Sequence, residues 1–534
     1  MKIDLKFKFN NIKGFVFYCA FFLLITAFSI QFNALDNDVW SRLIMGKHVV
    51  QTHNVMFQDI ISFTNTHTWF DPEWLSSAFL YFIQDKFGIL GLSFLKIISI
   101  FLMFVLLVEC IKRLANDYKF EYSILVFLLF ILLFKDCGFI YFLRCQFVTF
   151  WFFILWIFLL EKVRNGNDKL LYFFPLIMLF WLNLHGGAIA GIGVLILYCI
   201  GEFLNKKSVK KYLLTLIFCG LVFLINPWGA DYLEFIMHSA NLDRSWIMEW
   251  QSPFDSPFLR LNKFIGARLF FIFAFAIYLF ELILNKQTFK TFDKTKFLVF
   301  MVVSYLAAAH LKHLVLFFIV TFMYFYWYFC LFFKKLFEKI FCVFKFLMSY
   351  QKQITSFWIF LAYFLMFSYS ILALLAFPIR DSHKALYLNN FPVYPMQFLI
   401  ENNIKGKIFS VFSISAYVGY KGYPNLKIYM DGRQEQVYDL KTFDEGMFFL
   451  NWSGDYPQVI IDKYSPDIFL LENDWKVIYK FFENNPKYKL IYKDKIFSIY
   501  TKTQLVKFGY IKPEKDDEKM YREIFDTNID FKKD

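Results

Sequence analysis

From residue 15 to residue 377 the chain is dominated by apolar runs of a length that fits a bilayer better than a soluble core. A helix rises about 1.5 Å per residue, so roughly 17–25 apolar residues cross the hydrocarbon layer with every backbone group bonded internally. Such runs are read at 15–34, 89–111, 122–142, 145–161, 170–184, 187–204, 210–226, 265–285, 296–310, 312–333 and 354–377. The fold class expected is therefore a polytopic α-helical membrane protein with about eleven transmembrane helices. Composition agrees: 58% of 534 residues are hydrophobic and 23% aromatic, and the mean hydropathy is +0.46, outside the range of ordinary soluble domains.

Lysine and arginine fill every second loop: Lys2 to Lys13, Lys112 to Lys119, Lys162 to Lys169, Lys206 to Lys211, Lys286 to Lys296 and Lys334 to Lys352. The positive-inside rule places these loops in the cytoplasm of a cell whose inner membrane holds the protein. The N-terminus is then cytoplasmic, and an odd number of spans leaves the C-terminal part outside. The net charge is +13, but its excess sits in the short inner loops. That location favours contact with anionic membrane lipids over nucleic acid. The first run lacks a small-residue cleavage site and is read as a retained helix.

Hydropathy drops after Pro378, which divides the chain into a membrane domain (1–378), an extracytoplasmic α/β domain (379–505) and a charged tail (506–534). In the second domain, strands are expected at 406–412, 426–430 and 467–471, with a closing hairpin at 488–492 and 496–500. Helices are expected at 393–403, 434–450, 456–464 and 474–485. All eight cysteines precede residue 343, so this domain has no disulfide framework. Cys137 and Cys145 flank one outer turn and could pair, but scattered membrane cysteines are the preferred reading.

The first outer loop, 35–88, is the richest segment. It opens Leu35-Asp36-Asn37-Asp38-Val39-Trp40, with two carboxylates directly after a membrane helix. Val39, Trp40, Leu43 and Ile44 follow at helical spacing, as on a helix lying along the membrane surface. A second such helix begins at Asp71-Pro72-Glu73-Trp74, with Asp71 as N-cap and Pro72 in the first helical position. Its apolar stripe is Trp74, Leu75, Ala78, Phe79, Phe82 and Ile83. Other outer corners add Arg144, Trp181-Leu182-Asn183-Leu184-His185-Gly186-Gly187, Asn226-Pro227-Trp228-Gly229, Glu249 and Ala309-His310-Leu311-Lys312-His313. Helix caps, turn glycines and aromatic-belt tryptophans account for each of these taken singly. Together they gather acid, imidazole, amide and cation on one face.

A carboxylate just above the headgroups suits transfer of a group from a lipid-linked phosphate to a hydroxyl. The acid takes the acceptor's proton as general base, and cations stabilise the departing phosphate. Asp38 and Asp36 are the candidate bases, the alternative being that they merely cap a surface helix. Arg144, His310, Lys312 and His313 are the candidate phosphate ligands. Arg144 leads because a guanidinium grips phosphate with two parallel bonds, whereas Lys312 also reads as a snorkelling anchor. Glu73, His185 and Glu249 complete a substrate site. Asp431 and Arg433, after a strand of the outer domain, either hold an acceptor sugar or close over the membrane site, or else form a strand-end ion pair that pins the next helix. A divalent cation, magnesium or manganese, is left open, with Asp36 and Asp38 as its ligands if one is bound.

The run DNDVWSRLIMGKHVV…DIISFTNTHTWFDPEWLSSAFLYFIQDKFGILGL, with WLNLHGG, INPWG, IMEW and IYMDGRQEQVY further on, resembles multi-pass bacterial members of the GT-C superfamily of glycosyltransferases. Distant relatives of that group include protein O-mannosyltransferases and the aminoarabinose transferase of lipid A. The resemblance covers nearly the whole chain. It implies inverting transfer of a sugar from a polyprenyl-phosphate donor to a cell-envelope glycan, lipid or protein, with Asp38 aligned best to the second acid of the first-loop motif. The strict Asp-Glu pair of the mannosyltransferases is absent, which leaves the donor sugar open. So is the Trp-Trp-Asp-Tyr-Gly motif of oligosaccharyltransferases, so transfer of a whole glycan to asparagine is not implied. Two other classes fit the pattern of polar corners: a transporter or flippase of a lipid-linked sugar, and a non-catalytic envelope scaffold.

Overall fold

The structure, a computed structural model, describes residues 12–31, 36–64, 69–114, 143–240, 244, 247–260, 263–288, 290–343, 351–376, 391–433, 437–450 and 456–505. Helices stand over ten of the eleven apolar runs, and the run at 122–142 lies outside the described residues. Among the described residues five helical segments are long and apolar enough to cross a membrane: Leu90–Leu114, Gln146–Arg164, Gly186–Leu204, Ile265–Leu284 and Leu311–Leu336. Two further apolar stretches, Tyr18–Ala27 and Tyr363–Leu372, are shorter.

The helices that position the site are α1 (Asp38–Thr52), α2 (Trp74–Leu114), α3 (Gln146–Arg164), α4 (Phe174–Leu184), α5 (Ile189–Leu204), α6 (Lys294–Ala309) and α7 (Leu314–Val343). Gly88, at φ 59°, breaks α2 into a first part beside α1 and a second part in the bundle. The bundle has two unlike ends. At one, Arg164 binds Glu202 (2.8 Å), Asp293 (2.9 Å) and Glu161 (3.1 Å), tying together the C-terminal ends of α3 and α5 and the start of α6. The basic loops 162–169 and 205–211 lie at this end. At the other, the start of α3, the α4–α5 turn and the α6–α7 corner come together.

The chain after residue 391 forms a mixed five-stranded sheet in the order β2 (Leu426–Ile428), β1 (Gly406–Ser410), β3 (Ile468–Glu472), β5 (Phe497–Lys502), β4 (Tyr488–Lys493). The first three strands run parallel, while β5 is antiparallel to both β3 and β4. Strands and hairpin fall where the alternation of residues predicts. One helix does not: α8 (Phe412–Gly422) follows β1 directly, where the sequence reads as strand up to Phe412.

Two further expectations change. The stripe Val39, Trp40, Leu43 and Ile44 does not lie on the membrane surface; all four are at most 2% exposed and belong to the same core as the sheet. Trp40 is enclosed by Phe391, Tyr417 and Tyr420 at ring distances of 4.9–5.6 Å. By contrast Phe79, Phe82 and Phe87 on the first part of α2 stay exposed, the kind of face a membrane-lying helix presents. The loop also adds to the sheet edge. Phe63 N–H donates to the Ile428 carbonyl and Ile428 N–H to that of Ile61, both at 3.0 Å. Cys145 is buried; its proposed partner Cys137 lies outside the described residues.

Candidate active site

Asp38 opens α1, and its N–H donates to Asp36 Oδ1 at 3.0 Å. Asp36 also pairs through Oδ2 with Arg144 Nε. Arg144 NH1 takes Glu249, carried by a single 3₁₀ turn at Met248–Trp250. One guanidinium thus lies between two carboxylates, one from each side of the chain's first half.

A second chain of charges runs beside it. Arg42, one turn along α1 from Asp38, binds Asp71 at 2.6 Å and Glu73 at 3.0 Å. Asp71 caps α2 by accepting Glu73 N–H at 3.0 Å, as its position before Pro72 predicts. Glu73 then meets His185 Nε2 at 3.1 Å. The other ring nitrogen, Nδ1, accepts the Gly187 N–H at 2.9 Å and lies 2.8 Å from Thr149 Oγ1. These partners assign the proton to Nε2 and leave neither nitrogen open. Gly187 is required here: a Cβ would fall 2.3 Å from Thr149 Oγ1 and 2.7 Å from His185 Nδ1.

The electrostatics single out Asp38. Burial pushes its carboxyl up to about 7, the Asp36 charge adds to this, and Arg144 and Arg42 oppose it. Glu73 goes the other way. Burial raises it, but Arg42 and then His185 outweigh that and hold it at about 2. Two carboxylates in one site are thus separated into a fixed anion and a group poised to exchange a proton near neutrality.

A cavity of about 690 Å³ collects these groups. Asp36, Asp38, Glu73, Arg144, His185, Glu249, Lys312 and His313 all line it, so residues from five distant segments meet as the sequence reading grouped them. His310 stands behind the wall, with Nδ1 2.6 Å from the Trp250 carbonyl. Lys312 lays its Nζ 2.9 Å from the centre of the Trp250 ring, and the Arg244 guanidinium lies 4.5 Å from the same ring. Arg244, Arg42 and Thr149 were not singled out from sequence. An isolated arginine or threonine carries no pattern until folding supplies its partners.

Asp431 and Arg433 are not among the residues that line the cavity. Arg433 is wholly buried, with Nε on Asp431 (2.8 Å), NH1 on Asp59 (2.7 Å) and its guanidinium 5.4 Å from the Trp69 ring. The ion-pair alternative is the one observed, and it fastens the sheet to the first loop. Between them Gly432 does line the cavity. Asp36, the first of the two aspartates left open as metal ligands, pairs with Arg144 and accepts the Asp38 N–H. Among the described residues no three His, Cys, Asp or Glu side chains stand together as a metal would need.

No protein-family model matches the sequence, and no curated protein matches it. Solved structures do. The oligosaccharyltransferase of Archaeoglobus fulgidus in its apo form superposes with a TM-score of 0.53 at 10% identity, over 91% of this chain and 74% of that one. The archaeal oligosaccharyltransferase AglB from the same organism, in complex with an inhibitory peptide and a dolichol-phosphate, gives 0.46 at 11% identity, over 87% and 70%. The first likeness shows a shared fold: a mostly helical region followed by a sheet-bearing C-terminal region.

Proposed function

We propose that this protein is a glycosyltransferase that moves a sugar from a polyprenyl-phosphate-linked donor to a hydroxyl of a cell-envelope glycan, lipid or protein. The observation that carries the reading is the cavity. It brings Asp38, poised near neutrality, within one enclosed space of Arg244 and Lys312. The fold shared with an oligosaccharyltransferase supports a lipid-linked donor.

In this mechanism Asp38 accepts the acceptor's hydroxyl proton as its oxygen attacks the anomeric carbon. The bond from that carbon to the phosphate oxygen breaks, and its electron pair leaves with the phosphate. Attack opposite the leaving group inverts the anomeric centre. Arg244 and Lys312, on the Trp250 ring, receive the developing negative charge. Arg144 takes a different part from the one its sequence position suggested. Its Nε and NH1 edges serve Asp36 and Glu249, so it neutralises those acids and keeps Asp38 as the proton acceptor. His185, held at both nitrogens, orients Glu73 and is not the base. The site opens on the face opposite the basic loops, which by the charge rule is extracytoplasmic.

The test is direct. Purified protein in lipid nanodiscs is incubated with radiolabelled polyprenyl-phosphate sugars and envelope extract. Labelled product that depends on Asp38 supports the reading; retention of all label on every donor, with folded protein, overturns it.

A further inference from the structure

The Asp431-Gly432-Arg433 turn sits against the candidate base, and the geometry points to Gly432 as a positioning residue that holds the Asp38 carboxylate in the cavity from the sheet-bearing side. This rests on the transferase reading above. A Cβ built on Gly432 would lie 2.4 Å from Asp38 Oδ1, while the next nearest atom, Asp38 Cγ, is 3.6 Å away. The turn is therefore in van der Waals contact with that one oxygen. Asp36, Arg144, Arg42 and Glu249 are the charged groups that act on the same carboxylate. Gly432 meets it with bare backbone, adding neither charge nor side chain.

Its neighbours explain why the contact is firm. Arg433 N–H and Nε both donate to Asp431 Oδ1, at 3.2 and 2.8 Å, and NH1 reaches across to Asp59 of the first loop. Tyr438 closes the set, with its hydroxyl 3.2 Å from Asp431 Oδ1. The two charged residues anchor the turn, and the glycine is what they anchor. The outer region is thereby a wall of the active site rather than an appendage to it.

The substitution Gly432→Ala separates this from a merely structural role. The atom it meets is the far end of a side chain, so the carboxylate rotates aside at little cost to folding. The chemistry bears the loss, since about 1 Å of displacement at a reacting group costs roughly 10²-fold in rate. We expect kcat to fall by about that factor with the donor KM unchanged. Gly419→Ala is the control. It crowds Ile61 at 3.1 Å across the same docking surface without touching Asp38, and its kcat should stay at the wild-type level. Equal losses in both variants, or none in Gly432→Ala, would overturn the inference. A second readout needs no turnover: the infrared carboxyl band of Asp38, identified by its disappearance in Asp38→Asn, is titrated in wild type and in Gly432→Ala. A lower midpoint in Gly432→Ala, as the carboxyl leaves its enclosure, supports the assignment, and an unchanged midpoint refutes it. Failure of wild-type transfer would count against the glycosyltransferase reading alone, because this titration still decides the role of Gly432.

Discussion

Asp38 is placed under two opposed demands. A base must be ionised to work, yet burial and the Asp36 charge favour its proton. The result is a pH dependence with a definite sign. As pH falls through about 7 the carboxyl is protonated and the rate should fall with it, and kcat/KM measured from pH 5 to 9 should show this acid limb. Asp38→Asn should lower turnover by roughly 10²–10⁴-fold. The same variant should be more stable above pH 7. Between its ordinary value of 3.8 and about 7 the folded state keeps a proton that the unfolded chain has lost, so stability declines as pH rises through that window. Asparagine removes that decline, and thermal midpoints of the two proteins at pH 5 and pH 8.5 would reveal it. A midpoint gap independent of pH would contradict the burial of this carboxylate. On the cation side, Arg244→Ala should lose more transfer than Lys312→Gln, since only the guanidinium offers a planar pair of donors to phosphate. Parity of the two in a donor-saturated assay would show that charge alone matters there.

At the scale of elements, the dock between the first loop and the sheet depends on buried charge. Arg433→Met leaves the buried Asp59 and Asp431 without their counter-charge, a change that typically costs about 3–5 kcal/mol. Amide exchange at 59–64 and 426–430 should then speed up together; protection unchanged in both would mean the ion pairs do not hold the edge. Much of this architecture was legible in the sequence, and the exceptions have physical reasons. The starts of α1 and α2 were readable because acidic residues and Pro72 mark them. What α1 packs against was not, because amphipathic spacing says that a face is covered and not by what. Membrane and sheet are equally good covers for Val39 and Trp40. Helix α8 escaped because it is buried nearly all round, from Ile414 to Tyr420, which erases the polar face that gives a helix its period. Only its first residue, Phe412, reads as part of the preceding strand, and 413–422 carry no assignment. The cavity's acids and histidines were foreseen as a group since they share one set of loops. Arg42 and Arg244 were not, because their significance lies in partners supplied by other segments.

For the whole molecule, the two ends of the bundle make the orientation testable. Single cysteines at Asn54 and at Ser413, both exposed near the site end, should react with an impermeant maleimide on intact cells. Cysteines at Lys207 and Lys286, in the basic loops, should react only after the membrane is opened. The reverse pattern would invert the protein in the membrane and put the site on the cytoplasmic face. The bond from Arg433 to Asp59 joins positions 374 residues apart. At about 5–20 residues per second of synthesis, roughly 20–75 s separate the emergence of the two. For that interval the first loop is a half-built object. Trp40, Leu43 and Ile44 have left the ribosome, but the sheet that will cover them does not yet exist. The order of manufacture thus keeps the cavity incomplete until the sheet-forming part of the chain has been made. A ribosome that stalls midway leaves behind an exposed apolar helix, a natural mark for quality control, rather than a finished site. A chain stopped at residue 378 should therefore insert, show no transfer and turn over faster in a pulse-chase than the full-length protein. Equal half-lives would mean that α1 finds other cover in the meantime.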